Sequence, residues 1–186
     1  MLISAFLLLC MFTFPLWSIN LDAPQYPGGI GLKIWVNKIT GAQPNDLQNI
    51  NIMNHYIGMQ KIEPDAIPEL SYMPIIIIVM VVFAILLAFI NKWQLNAVWV
   101  LLFAALGILA LYDFYLWEYD YGHNLDSHAA IKIEGMAYQP PFIGSKQILN
   151  FVASSYPALG ALFMFLSMAI GGFAVWLGFK EKKQIK

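Results

Sequence analysis

Residues 73–91, from Met73 to Asn91, carry no charged side chain, and residues 95–117 carry one, Asp113. A third run, residues 157–179, is apolar up to Lys180. About 20 residues at a rise of ~1.5 Å cross the ~30 Å hydrocarbon layer of a bilayer. Backbone polar groups in lipid must be satisfied within their own segment, so each run is predicted to be a helix. A fourth apolar run, residues 2–18, opens the chain. It has no lysine or arginine at its start, holds Pro15 and lacks a small-x-small site before Asn20. A retained helix is therefore favoured there over a cleaved signal peptide.

Composition supports a membrane class. The chain is 60% hydrophobic and 11% charged over 186 residues, against about 25% charged residues in a soluble domain. That much apolar surface does not fit inside a globule of this size. The net charge of −1 and the absence of a basic patch argue against a nucleic-acid partner. A single cysteine, Cys10, excludes an internal disulfide, a paired-cysteine copper centre, an iron–sulfur cluster and a C-x-x-C-H haem attachment. Leu9 is too large for a lipoprotein cleavage site, so Cys10 reads as a buried apolar side chain.

All ten basic residues are lysines. Lys92 lies between the runs 73–91 and 95–117, and Lys180, Lys182, Lys183 and Lys186 crowd the C-terminus. Lysine excess marks the cytoplasmic side. The expected protein is thus an all-α membrane protein. It has four transmembrane helices (2–18, 73–91, 95–117 and 157–179) and a cytoplasmic tail, 180–186. Two regions, 19–72 and 118–156, face outward and form a small α/β cap. Trp17, Tyr72, Trp93, Trp99, Trp117, Tyr119, Tyr121, Tyr156 and Trp176 are expected near the interfaces, where amphipathic rings sit well.

Local signals organise the outer regions. Pro24–Gly29 is a turn cluster, Gly31–Val36 alternates as a short strand, and Asn45-Asp46 begins a helix to about residue 59. In the second region the third helix continues through Tyr121 and Gly122 stops it. A brief strand is expected at 131–133, a turn at Pro140-Pro141 and an interfacial amphipathic helix over 144–151.

The three histidines lie in these outer regions: His55 in Met53-Asn54-His55-Tyr56-Ile57-Gly58-Met59, and His123 and His128 in Gly122-His123-Asn124-Leu125-Asp126-Ser127-His128. Imidazole suits copper, zinc, iron and nickel, and thioether sulfur selects Cu(I). His55, Met53, Met59, His123 and His128 are therefore candidate copper ligands, with Glu118, Asp120 and Asp126 placed to orient a ring. The plain alternative is loop histidines and packing methionines. Asp113, an acid near a helix end, calls for interfacial water, a hydrogen-bond partner or a functional role.

The segments Leu21-Asp22-Ala23-Pro24-Gln25-Tyr26-Pro27-Gly28-Gly29-Ile30-Gly31-Leu32, Leu47-Gln48-Asn49-Ile50-Asn51, Asn54-His55-Tyr56-Ile57-Gly58-Met59 and Pro68-Glu69-Leu70-Ser71-Tyr72-Met73-Pro74 resemble a family of small bacterial membrane proteins. Its genes lie among those for nitrous oxide reductase maturation, copper chaperones and their respiratory partners. The resemblance covers about a third of the chain. It implies a non-enzymatic, periplasm-facing accessory protein of nitrous oxide respiration that handles copper or docks a periplasmic copper protein or maturation protein. Two other readings stand beside it: a metal-free structural subunit of a membrane redox complex, and a small transporter with Asp113 as its coupling acid. The lack of an internal repeat weakens the transporter reading.

Overall fold

The computed structural model describes residues 1–131, 133 and 135–184. Three long helices, α3 (Glu69–Ile90), α4 (Trp93–His123) and α5 (Leu159–Gln184), are each long and apolar enough to cross a membrane. Their outward side chains are large and apolar: Phe89 is 80% exposed, Leu101 69% and Ile108 68%. Surface of that kind is at home in lipid and not in water. Asn91, in the left-handed region at φ 51°, and Lys92 make the tight turn between α3 and α4.

The remaining elements are α1 (Leu2–Cys10), α2 (Asp46–Ile57) and five strands: β1 (Trp17–Ala23), β2 (Tyr26–Ile34), β3 (Ile39–Gly41), β4 (Gly144–Ile148) and β5 (Phe151–Pro157). The strands form one antiparallel sheet in the order β3-β2-β1-β5-β4. The two outer regions therefore share a sheet: β1 pairs with β2 on one side and with β5 on the other, Asn20 standing opposite Gly31 and Ser154. Because α3 leaves the sheet side, α4 returns to it and α5 leaves again, the cap sits at one end of the helices. Lys92, Lys180, Lys182 and Lys183 lie toward the other end.

The fold corrects the all-α expectation of four transmembrane helices: among the described residues it is mixed, with five α-helices and a five-stranded antiparallel sheet. The first apolar run is the main cause. Helix α1 stops at Cys10 and spans only 9 residues, or about 14 Å at ~1.5 Å per residue, half the depth of the hydrocarbon layer. After the turn that contains Pro15, the chain enters β1. In β1, Trp17, Ile19 and Ala23 are buried, while Asn20 and Asp22 face out. That is the period-2 pattern of a half-buried strand. The helix expected over 144–151 is instead β4 and the start of β5, a hairpin whose two-residue loop places Leu149 at φ 55°. Of the strand expected at 131–133, residue 132 lies outside the described residues, and Ile131 and Ile133 belong to no strand.

Two cores result. In the helical part, Leu8 of α1, Met80, Ala84 and Leu87 of α3, and Trp99 and Phe103 of α4 pack together. Lipid offers no hydrophobic drive for helices to associate, so close approach and hydrogen bonds must hold them. Both are present. Gly171 of α5 lets Trp99 lie against its backbone, the Trp99 indole N–H donates to the Met80 carbonyl at 2.9 Å, and Ser167 Oγ donates to the Ser4 carbonyl at 2.9 Å. In the cap, Trp17, Ile19, Ile30, Leu32 and Ile39 of the sheet close on Ile50 of α2, and Phe114, Trp117 and Tyr121 of α4 pack against them. Trp17 is the hinge of this core. Its ring meets Phe114 at 5.3 Å and Phe142 at 5.6 Å, and its indole N–H donates to Ser155 Oγ at 2.7 Å.

A chamber under the sheet as the candidate functional site

Helix α2 is fixed to the sheet at its start. Asp46 Oδ2, nearly fully buried, accepts from the backbone N–H groups of Gly31 and Gln43, each at 3.0 Å. Asn45 takes the left-handed conformation at φ 69° and makes no side-chain cap. Asp46 thus ties the helix start to β2 and to the turn before it, and its charge suits the positive end of the helix dipole. The helix ends at Gly58, at φ 80°, with Met59 N–H donating back to the Asn54 carbonyl at 2.9 Å. This glycine is also where the two outer regions clasp. The Gly58 carbonyl accepts from Asp126 N–H at 2.8 Å, and the Tyr56 carbonyl accepts from Ile131 N–H at 2.9 Å.

Helix α4 approaches from the membrane and ends beneath the sheet. Its inward stripe is Phe114, Trp117, Glu118, Tyr121 and Gly122, the i, i+3, i+4 spacing of one helix face. Gly122 permits a close crossing: a Cβ there would lie 2.4 Å from the backbone of Gln139. The Gly122 carbonyl accepts from Tyr138 N–H at 2.9 Å, which seats the Tyr138 ring in the cap core.

Between α2, the end of α4 and the sheet lies a chamber of about 60 Å³, walled by Met53, Asn54, Met59, Glu118, Tyr138 and apolar strand residues. One water needs about 10–15 Å³ by this measure, so the chamber has room for a small ligand. Glu118 is 0% exposed, and among the described residues neither of its carboxylate oxygens has a hydrogen-bond partner. The buried Tyr138 hydroxyl is likewise without a partner among them. A charge in such a place costs several kcal/mol unless another group meets it.

The five residues expected as copper ligands divide into two sets. Met53 and Met59 line the chamber. His55, two residues from Met53 and so on another face of α2, points to solvent and lies 6.0 Å from the Tyr56 ring. His128 is exposed on the neighbouring loop, its Nδ1 3.3 Å from Asp126 Oδ1. The His128 backbone N–H, the His128 ring and the nearby His55 hold the Asp126 carboxyl below its ordinary range. His123 stacks on Tyr119 at 3.9 Å, with Nδ1 2.9 Å from the Tyr119 carbonyl. Among the described residues, no three or more His, Cys, Asp or Glu side chains are grouped to hold a metal.

Asp113 lies elsewhere, on the wall of an apolar groove of about 560 Å³ between α3 and α4. Glu69, which accepts from the Tyr72 hydroxyl at 3.2 Å, lies on the same wall.

Glu118 was legible only as an acid beside possible ligands; its place on the buried stripe was not. The signal is an acid flanked by Phe114, Trp117 and Tyr121 at helical spacing. The opposite face, with Tyr112, Tyr115 and Tyr119, is just as aromatic, so the pattern does not say which side is inside. No family model, curated protein or solved structure matches this chain. The resemblance to proteins of nitrous oxide respiration therefore rests on the quoted residues alone.

Proposed function

We propose that this chain is a non-enzymatic accessory protein of the bacterial inner membrane that serves nitrous oxide respiration by handling copper, or by docking a copper protein, through its periplasmic cap. One observation carries the reading most directly. The loop bearing Asp126 and His128 is hydrogen-bonded to the end of α2, which bears Met53, His55 and Met59, so the soft and imidazole donors of both outer regions belong to one small cap. The lysines at the far end of the helices favour a cap that faces outward. Nitrous oxide reductase made with and without this chain tests the reading. Lower copper content in its absence supports the proposal, and equal copper content removes it.

The apolar groove between α3 and α4 favours a second reading, a structural subunit of a membrane redox complex, because a neighbouring subunit could fill it. Stable co-purification with a cytochrome or quinol oxidase subunit, with no copper bound, decides for that alternative.

A further inference from the structure

We propose that the chamber under the sheet is a site for one soft monovalent cation, of the Cu(I) and Ag(I) class, held by the thioethers of Met53 and Met59 and the carboxylate of Glu118. The carboxylate is the first argument. Glu118 is fully buried in the chamber wall with both oxygens unpartnered among the described residues. The ion pairs found there lie on the surface, Lys61 with Glu63 and His128 with Asp126. A buried carboxyl without a partner either holds a proton or takes a positive charge beside it, and the two thioethers on the same wall point to the second.

The donor set then selects the class of cation. Calcium takes about 6–8 oxygen ligands and magnesium demands near-octahedral oxygen coordination. Among the described residues the chamber's polar side chains are Glu118, the Asn54 amide, the Tyr121 and Tyr138 hydroxyls and the Trp117 indole, too few oxygens for either ion, against two thioethers. Thioether sulfur selects soft ions. Charge selects the valence: one carboxylate neutralises a monovalent ion, whereas a divalent one would leave a net charge in an apolar shell. The Tyr138 hydroxyl, buried on the same wall, is a second polar group without a partner among the described residues. Met53 and Met59 are only partly buried while Glu118 is fully enclosed, so an ion arriving from the cap surface meets sulfur first.

This site deepens the copper-handling reading and rests on it for the identity of the cargo. Its ligand chemistry comes from the chamber alone. The test is calorimetric titration of the detergent-purified full chain, on a Cys10→Ser background that removes the free thiol, with Ag(I), which mimics Cu(I) without redox chemistry. One silver ion per chain is expected. Glu118→Gln, and separately the pair Met53→Leu and Met59→Leu, should weaken binding at least about tenfold, as the loss of even an outer-shell partner commonly does. The pair His55→Ala and His128→Ala should leave it unchanged. X-ray absorption at the silver edge should show sulfur neighbours that disappear in the double leucine variant.

Leucine conserves the volume of methionine, so that variant decides the matter even if Glu118→Gln fails to fold. Absence of silver binding, binding indifferent to the two leucines, or binding lost with the two histidines overturns the proposal. Silver held in the chamber with unchanged copper in nitrous oxide reductase would overturn the respiratory reading and leave the site standing. Copper supplied to the reductase by a protein whose chamber ignores silver would do the reverse.

Discussion

Replacing Gly122 by alanine pits two opposite effects against each other. In an ordinary helix interior the change stabilises by about 1 kcal/mol, because glycine pays more backbone entropy. At Gly122 the new Cβ would sit 2.4 Å from the N and Cα of Gln139 and 2.5 Å from its Cβ. The obstacle is largely backbone and cannot rotate aside. Forcing one extra carbon into a packed site costs about 1–3 kcal/mol. Displacing residue 139 also strains the hydrogen bond from Tyr138 N–H to the Gly122 carbonyl, 2.9 Å long, a bond worth about 0.5–1.5 kcal/mol. The balance is a net destabilisation of roughly 0.5–3.5 kcal/mol from these terms. Gly107, in the same helix, is the internal control, since a Cβ there meets nothing within 4 Å. Thermal unfolding of the purified protein, followed by tryptophan fluorescence, should place Gly122→Ala below wild type and Gly107→Ala at or above it. A Gly122→Ala protein as stable as wild type would refute the close crossing of α4 and residues 138–139.

Three further outcomes follow from the cap. Trp17→Phe keeps most of the ring but removes the donor to Ser155 Oγ, which itself donates to the Phe142 carbonyl; a loss of about 1–3 kcal/mol is expected in denaturant unfolding, the usual cost of disturbing a buried hydrogen bond. Glu118→Leu should stabilise the metal-free protein by about 1–3 kcal/mol, because it removes an unpartnered buried carboxyl; a lower melting temperature in the absence of metal would contradict that reading. Asp126 should titrate below the ordinary aspartate range by carboxyl-resolved NMR, since His128 N–H and the two nearby histidines favour its charged form. Its folded-state value is depressed, so its contribution to the loop is present at neutral pH and above the unfolded value. That contribution is lost as pH falls through the folded value, and an ordinary midpoint would show that the contact with His128 is not made.

The membrane helices were legible because their signal is compositional. A long run without charge in Met73–Asn91 admits few structures in lipid. The sheet was harder to see for a physical reason. In Trp17-Ser18-Ile19-Asn20-Leu21-Asp22-Ala23 the alternation is regular, but it follows directly on the apolar run of α1, and hydropathy averaged over the two reads as one long helix. Pro15 was the boundary that separates them. In Ser145–Tyr156 the inward residues include Ala153 and Ser155, too small and polar to announce a buried face, and their pairing partners Leu21 and Ile19 lie far away in sequence. The chamber depends on the same long-range pairing. Met53 and Met59 stood out in sequence through their sulfur, but that Glu118 shares their wall follows from α4 running past the lipid to end under the sheet, a packing relation that local spacing does not encode.

The central claim is that the chain segments on either side of the membrane helices meet strand to strand in one cap. On a Cys10→Ser background, the pair Asn20→Cys and Ser154→Cys occupies facing positions of β1 and β5. Facing residues of antiparallel strands lie about 4.5–5.5 Å apart, within the ~4.4–6.8 Å that a disulfide bridges. Asn20→Cys with Tyr156→Cys keeps the same sheet face but shifts the pairing by two residues, about 7 Å along the strand. Oxidation in membranes should cross-link the first pair and leave the second open. Equal cross-linking of both pairs, or none of the first, would contradict the shared sheet on which the chamber depends.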